Sequence, residues 1–490
     1  MIIHVTTTPA APRALSEPVR TRRRTTNQLI VALACAGQFL VVMDVSIVNV
    51  ALPAIRADLG FQPTDLQWVV NAYALTFAGF LMLGGRAADL YGRKRIFVLG
   101  LVLFTAPSLV GGLAGSPGVL IGARTVQGLG AAVLSPATLT ILTTALPEGP
   151  RRIRALAAWS AVGAAGGALG SLLSGVLTDY LSWRWVLLIN VPVGAVLVTA
   201  AVRLLTERRR ETSRRLDLPG AVTITVGLSA VTYGVIQSHG YGWASITALL
   251  PIAVGVATLA VFLVVEAWFA PAPLMPLRLL RSRSVSGANL MLLLLGASGF
   301  SIWYFLSLYL QNVLHYTALQ TGLAFLPPTF MIILGARLAV RLQGHLGVRR
   351  LIALGALTAA AGFVWQGQIT GTSGFVTGVL GPGLVICLGF SLTFTPLATA
   401  ATSEVDRSEA GLVSGLINTS RQAGGSLGLA TLATVAARHT EAVSSRGAAT
   451  SEALTAGYAR GFMVAASLMA TVAVLVILLP RTAGRPSGTS

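Results

Sequence analysis

Along the chain, apolar runs of about 20 residues alternate with short breaks rich in charged residues, glycine or proline. A run of that length crosses a hydrocarbon core ~30 Å thick as a helix. The pattern predicts fourteen membrane-spanning helices, near 28–52, 67–87, 96–115, 117–146, 155–180, 186–205, 218–237, 246–268, 285–312, 319–340, 350–369, 374–401, 410–437 and 459–480. The weakest breaks, "AGSPG" at 114–118 and "GQITGTSG" at 367–374, still carry turn residues. "LGVRRLIALG" (346–355) echoes "YGRKRIFVLG" (91–100) about half a chain earlier. Internal repeats of this kind are common in secondary transporters. The expectation is an all-α membrane protein with six-helix halves at 28–205 and 285–480. Between them, 206–284 holds a loop and two additional central helices, and 1–27 and 481–490 are tails.

Composition sharpens this reading. Only 10% of the 490 residues are charged and 54% are hydrophobic, against about 25% charged in a soluble protein. The net charge of +19 would fit a nucleic-acid binder, but its placement argues otherwise. With both termini cytoplasmic, 28 of the 35 Lys and Arg residues fall in cytoplasmic segments, as the positive-inside rule demands. The basic charge is therefore topology, and no nucleic acid is expected as a partner. A multi-pass protein of the cell (plasma or inner) membrane is expected. The apolar run after "RTRRR" is too long for a signal peptide and contains Asp44, so it reads as an uncleaved first helix.

Other chemistries find little support. Cys35 and Cys387 sit in separate apolar segments, which implies no disulfide framework. The five histidines form no metal-ligand spacing, so no metal is expected. A phosphate-binding Gly-x-x-x-x-Gly-Lys-[Ser/Thr] loop is absent, and the sole lysine is Lys94. ATP is therefore not the direct energy source, no cofactor is expected, and an enzyme or sensor is a remote alternative.

Two ionisable residues stand out inside the spans. An Asp at the centre of a membrane helix costs about 2.5–3.5 kcal/mol on insertion scales, so Asp44 needs a task. The first helix runs outward and the fourth inward, which places Asp44 and Arg124 at the same depth, ~10–12 Å below the outer surface at 1.5 Å per residue. An ion pair there would neutralise both charges. Asp44 is the expected proton carrier, with a fixed structural pair as the alternative.

Several stretches also carry a resemblance. "GRAADLYGRKR" (85–95) resembles the loop signature of the major facilitator superfamily, with Gly85, Asp89, Gly92, Arg93 and Lys94 in place. "LIGARTVQGLGAA" (120–132) resembles the superfamily's fourth-helix motif through Arg124, Gln127, Gly128 and Gly130. "MDVSIVNVALP", "LQWVVNAYAL", "WRWVLLINVPVG" and "GLINTSRQAGGSLG" are similar to the fourteen-helix drug:proton antiporter family of the EmrB/QacA type. The fifth-helix antiporter signature is partly kept: Gly166, Gly170 and Gly175 match, whereas Ser171 replaces proline and Ser174 replaces glycine.

The resemblance implies the major facilitator fold and alternating access driven by the proton motive force. Asp89 would dock at the start of the thirteenth helix in one state and release in the other. Arg93 and Lys94 would brace that gate or simply hold the loop inside. Trp303, Tyr304, Arg421, Asn49 and Tyr73 are candidates for a substrate cavity suited to flat lipophilic or cationic molecules. Glu266, at the end of the eighth helix, is expected at the solvated interface. The function expected is proton-coupled multidrug efflux, and hence antibiotic resistance. A dedicated exporter or uptake facilitator for one metabolite is the alternative. Partners would be the small-molecule substrate, protons and the bilayer; nothing indicates an adaptor protein.

Overall fold

The computed structural model describes residues 17–146, 149–206, 216–270, 273–403, 405 and 409–480. The first six membrane helices are α1 (Glu17–Leu59), α2 (Trp68–Tyr91), α3 (Arg93–Gly112), α4 (Pro117–Ala145), α5 (Pro150–Tyr180) and α6 (Trp185–Leu204). Next come α7 (Leu218–Tyr241) and α8 (Ile246–Phe269). The remainder are α9 (Arg283–Asn312), α10 (Ala318–Leu346), α11 (Val348–Gln366), α12 (Val376–Thr402), α13 (Ala410–Ser444) and α14 (Thr450–Leu478). Among the described residues, 13 helices are long and apolar enough to cross a membrane. The fourteenth, α13, is more polar and packs among them against α9, α14, α2 and α7.

Local chemistry sets the helix ends. Asp217 caps α7 by accepting from the Gly220 N–H at 2.9 Å, and Ser245 caps α8 through Ala248. Thr317 and Gln320 form a reciprocal capping box at the start of α10. The two echoed stretches share one device. Gly92, between α2 and α3, has φ 96°, and Gly347, between α10 and α11, has φ 73°. Both lie where a side chain would be strained, which is why glycine precedes the basic pair in each half.

Helices α1–α6 pack chiefly with one another, as do α9–α14, while α7 leans on α2 and α13 and α8 pairs with α7. Successive helices alternate in direction, so both ends of the described chain lie at one end of the bundle, called here the terminal end. At that end Lys94 donates from Nζ to the Val202 carbonyl in the last turn of α6, at 2.7 Å. Arg349 likewise bonds the carbonyls of Val476 and Ile477 in α14. Trp68 stacks obliquely on Tyr233 and so joins α2 to α7.

Close helix approach rests on small residues. A methyl group on Gly128 would lie 2.3 Å from the Tyr73 carbonyl oxygen, and one on Gly130 would lie 2.4 Å from the Phe104 nitrogen. These two residues of the fourth-helix motif therefore let α4 touch α2 on one side and α3 on the other, as small residues do in membranes.

Candidate functional site

Asp44 and Arg124 meet as their common depth predicts. Arg124 Nη1 lies 2.6 Å from Asp44 Oδ2, and the two side chains are 2% and 0% exposed respectively. The carboxylate is held by more than the arginine. Gln127 donates to Asp44 Oδ1 at 2.8 Å and Asn190 donates to the same oxygen at 2.9 Å. Gln127 also accepts from Arg124 at 2.7 Å, and Arg124 Nε donates to the Val69 carbonyl at 3.1 Å. Ser108 accepts from both Gln127 and Asn190 and donates to the Leu187 carbonyl. Five side chains from α1, α3, α4 and α6 thus form one dry, nearly satisfied network. Removing one partner of such a pair typically costs about 3–5 kcal/mol, because the other charge is stranded.

Sequence reasoning singled out Asp44, Arg124 and Gln127; Asn190 lies in the quoted "WRWVLLINVPVG" stretch, and Ser108 was missed. A single serine inside an apolar run carries no signal until its neighbours are known. Tyr73 is corrected: it does not line a cavity. Its ring lies under the Arg124 guanidinium, 4.4 Å from the centroid, with the hydroxyl buried and unpartnered. Burial of a planar cation against an aromatic face is favourable where water is excluded.

A central cavity of about 1730 Å³ lies between the two halves. Asn49, Trp303 and Arg421 line it as expected, and Gly85 and Ser171 do too. Tyr304 does not. The helical turn from Trp303 to Tyr304 rotates the latter into the core of α9–α14, where it is 2% exposed and meets Phe305 edge-on. Aromatic residues that the sequence did not single out, Phe300, Phe325, Phe390 and Phe394, take its place on the wall. They come from three helices, Phe300 from α9, Phe325 from α10 and Phe390 and Phe394 from α12, so nothing along the chain groups them. Asp44 is not on the wall; Val41, Val45, Val70 and Phe77 are. The ion pair therefore sits behind an apolar sheath, beside the cavity and outside it.

The end of the bundle opposite the termini is closed by contacts between the halves. Ser307 donates to the Asn49 carbonyl at 2.7 Å and Gln311 to the Val50 carbonyl at 2.9 Å, tying α9 to α1. The Asn49 side chain bonds back to Val45 within its own helix, so it is the Asn49 backbone carbonyl that joins α1 to α9. The Asp179 carboxylate, at the end of α5, accepts from the first N–H groups of α10, Ala318 at 3.1 Å and Leu319 at 2.8 Å. A negative charge is favoured at that helix terminus. The antiporter-like stretch forms the rest of this closure. A methyl on Gly175 would lie 2.6 Å from the Ala318 oxygen, and one on Gly322 would lie 2.4 Å from the Ser171 oxygen. Gly166 and Gly170 press α5 onto α1 in the same way, with Ser46 Oγ only 2.0 Å from a methyl at Gly170. Ser171 bonds back to Gly167 only weakly, at 3.4 Å, and Ser174 is buried with its hydroxyl unpartnered.

Toward the terminal end the cavity wall continues through Arg86, Pro273, Pro276, Arg278 and Gly411. Arg278 pairs there with Glu409, the residue before α13, and Arg86 donates to the Pro273 carbonyl. Glu266 is corrected: it is buried, not solvated, and accepts from the N–H groups of Leu274 and Met275, so it folds the chain after α8 onto the bundle. Asp89 lies in the last turns of α2, but its side chain is outside the described residues, as is its expected docking contact. Arg93, at the first position of α3, is partly buried.

Comparison with known proteins follows from this geometry. The profile of the Major Facilitator Superfamily matches residues 34–429. The chain is 48% identical to the cephamycin export protein CmcT of Amycolatopsis lactamdurans, over 96% of each chain. It is 38% identical to the puromycin resistance protein pur8 of Streptomyces alboniger, covering 92% of this chain and 90% of that one. Among solved structures, a bacterial homolog of the human lysosomal transporter Spinster, in an inward-facing and occupied conformation, superposes with a TM-score of 0.66. That match has 15% identity and covers 95% of this chain and 98% of that one.

Proposed function

The chain belongs to the Major Facilitator Superfamily, and from that premise we propose that it exports antibiotic-like small molecules in exchange for protons. The observation that carries the proposal is the Asp44–Arg124 network, buried beside a large cavity whose end opposite the termini is bridged by contacts between the halves. A proton taken up by Asp44 would neutralise the carboxylate and leave Arg124 as a stranded charge. In a dry site that is costly, so the protonated protein favours an arrangement in which Arg124 finds water or other partners. A packed cluster with two discrete arrangements is what links ligand binding to a global change. Four helices of one half converge on this cluster, so its rearrangement would tilt that half against the other.

Orientation follows from charge. The terminal end carries most of the Lys and Arg residues, and the positive-inside rule places it in the cytoplasm of a cell membrane. The end bridged by α1, α5, α9 and α10 is then the outer one, which supports a state that loads substrate from the inside. The proton motive force is the energy source, the bilayer is the surrounding medium, and no adaptor protein is invoked. Everted vesicles containing the protein provide the test. Cephamycin-class and puromycin-class compounds, the classes in the relatives' names, should accumulate only when the lumen is acidic. Accumulation that ignores an imposed proton gradient would refute the coupling.

A further inference from the structure

Arg421 is a buried-helix arginine without a counter-charge. It lies near the middle of α13, lines the cavity and has no hydrogen-bond or ion-pair partner among the described residues. Its Nε is fully buried and unpartnered. Its guanidinium lies over the Phe394 ring, 5.9 Å from the centroid. A guanidinium at membrane depth is expensive unless paired or lining a cavity.

The surroundings set what could pair with it. The cavity wall carries Arg86, Arg278 and Arg421 and, among the described residues, no Asp or Glu. Arg278 already pairs with Glu409, and Arg86 has partners of its own. Arg421 is thus the cationic group on the wall whose charge is left for a ligand. On the same wall, Phe300, Phe390, Phe394 and Trp303 supply flat apolar surface, and Asn418, one turn before Arg421, and Gln422, the residue after it, supply amides.

We infer that this cavity selects lipophilic anions, with Arg421 holding the substrate's carboxylate or equivalent acid group and the aromatic wall holding its apolar body. The inference rests on the exporter reading and deepens it, by naming the class of molecule carried. A planar guanidinium matches a carboxylate in a two-point contact that an ammonium cannot make. It also narrows the expectation drawn from aromatic content alone, which admitted cations: a wall whose uncompensated described charge is the Arg421 guanidinium repels them. A cavity water would solvate Arg421 equally well without any selection, and the test separates the two cases.

The probe is 1-pyrenebutyrate, compared with its uncharged amide and with a pyrenyl quaternary ammonium of similar length. The full chain in nanodiscs is titrated, and saturable energy transfer from tryptophan to pyrene reports binding. The expected result is that the acid binds about tenfold or more tightly than the amide, in line with a hydrogen-bonded charge pair. The ammonium should bind more weakly than either. Arg421→Gln should lower affinity for the acid about tenfold while leaving that for the amide within about threefold. Arg421→Lys should retain part of the preference. Amide binding in each variant serves as the control for folding. Equal affinities for acid and amide in the unmodified protein would overturn the inference, as would an Arg421→Gln variant that loses both alike. The measurement needs no gradient, so it stands apart from the exporter reading. If export is wrong, the acid still binds through Arg421 but does not move with an imposed proton gradient.

Discussion

Arg124 and Arg421 are both arginines held within the membrane-spanning bundle, and their surroundings are opposites. Arg124 is 2% exposed, pairs with Asp44 at 2.6 Å, and has Gln127, a backbone carbonyl and the Tyr73 ring as further partners. Arg421 is partly exposed to the cavity and pairs with nothing described. One half of the protein buries a charge that is completed internally; the other presents a charge that is completed from outside. The difference teaches that a membrane arginine is not one kind of evidence. Its role follows from whether the fold supplies its anion. In the proposed mechanism the first is switched by a proton and the second is satisfied by cargo.

The comparison breaks most sharply at the internal pair. Arg124→Gln strands Asp44 and is expected to destabilise the folded protein by about 3–5 kcal/mol, read as a large fall in melting temperature in detergent. The double variant Asp44→Asn with Arg124→Gln should recover much of that loss, because neither charge is then left alone. Independent, additive losses would mean that the two residues do not act as a pair. Next in size is Asn190→Ala. It removes one donor from Asp44 Oδ1 and another from Ser108, for an expected loss of about 1–3 kcal/mol in the same melting assay. At the closed end, Asp179→Asn weakens the cap on α10 by about 0.3–1 kcal/mol. Cysteines placed near Asn49 should then label faster from that side; an unchanged rate would show that Asp179 does not help hold the closure. Smallest of all is Arg421→Gln, whose effect in the melting assay should stay within about 0.5 kcal/mol, since no described internal partner is lost. A fall as large as that of Arg124→Gln would erase the contrast.

Much of this architecture is legible in the sequence, for a physical reason. Hydrocarbon tolerates no unpaired backbone, so apolar length translates directly into helices. Even α13, the least apolar span, is marked by the charge alternation on either side of it. Asp44 and Arg124 are equally legible, since two lone charges at one depth have little choice but to meet. Legibility ends where a residue's value depends on which way a helix face turns. Tyr73 and Tyr304 read as cavity residues because aromatics were judged by neighbourhood along the chain. The structure turns one under Arg124 and the other into the core of the second half. Ser108, Asp179 and Ser307 are ordinary polar residues in sequence and become joints through contacts with Leu187, Ala318 and Asn49, which lie 79, 139 and 258 positions away. Glu266 stands near the bundle end as expected, but backbone N–H groups of the following turn draw it inside.

The most direct test of the central claim uses Asp44→Asn in proteoliposomes, with two readings on the same preparation. One is substrate accumulation driven by an imposed proton gradient; the other is exchange of labelled for unlabelled substrate at equal pH. The account predicts that gradient-driven accumulation is lost while exchange survives, because the protein still alternates but no longer carries the proton. Gradient-driven accumulation at the level of the unmodified protein would contradict it and leave the Asp44–Arg124 pair as scaffold.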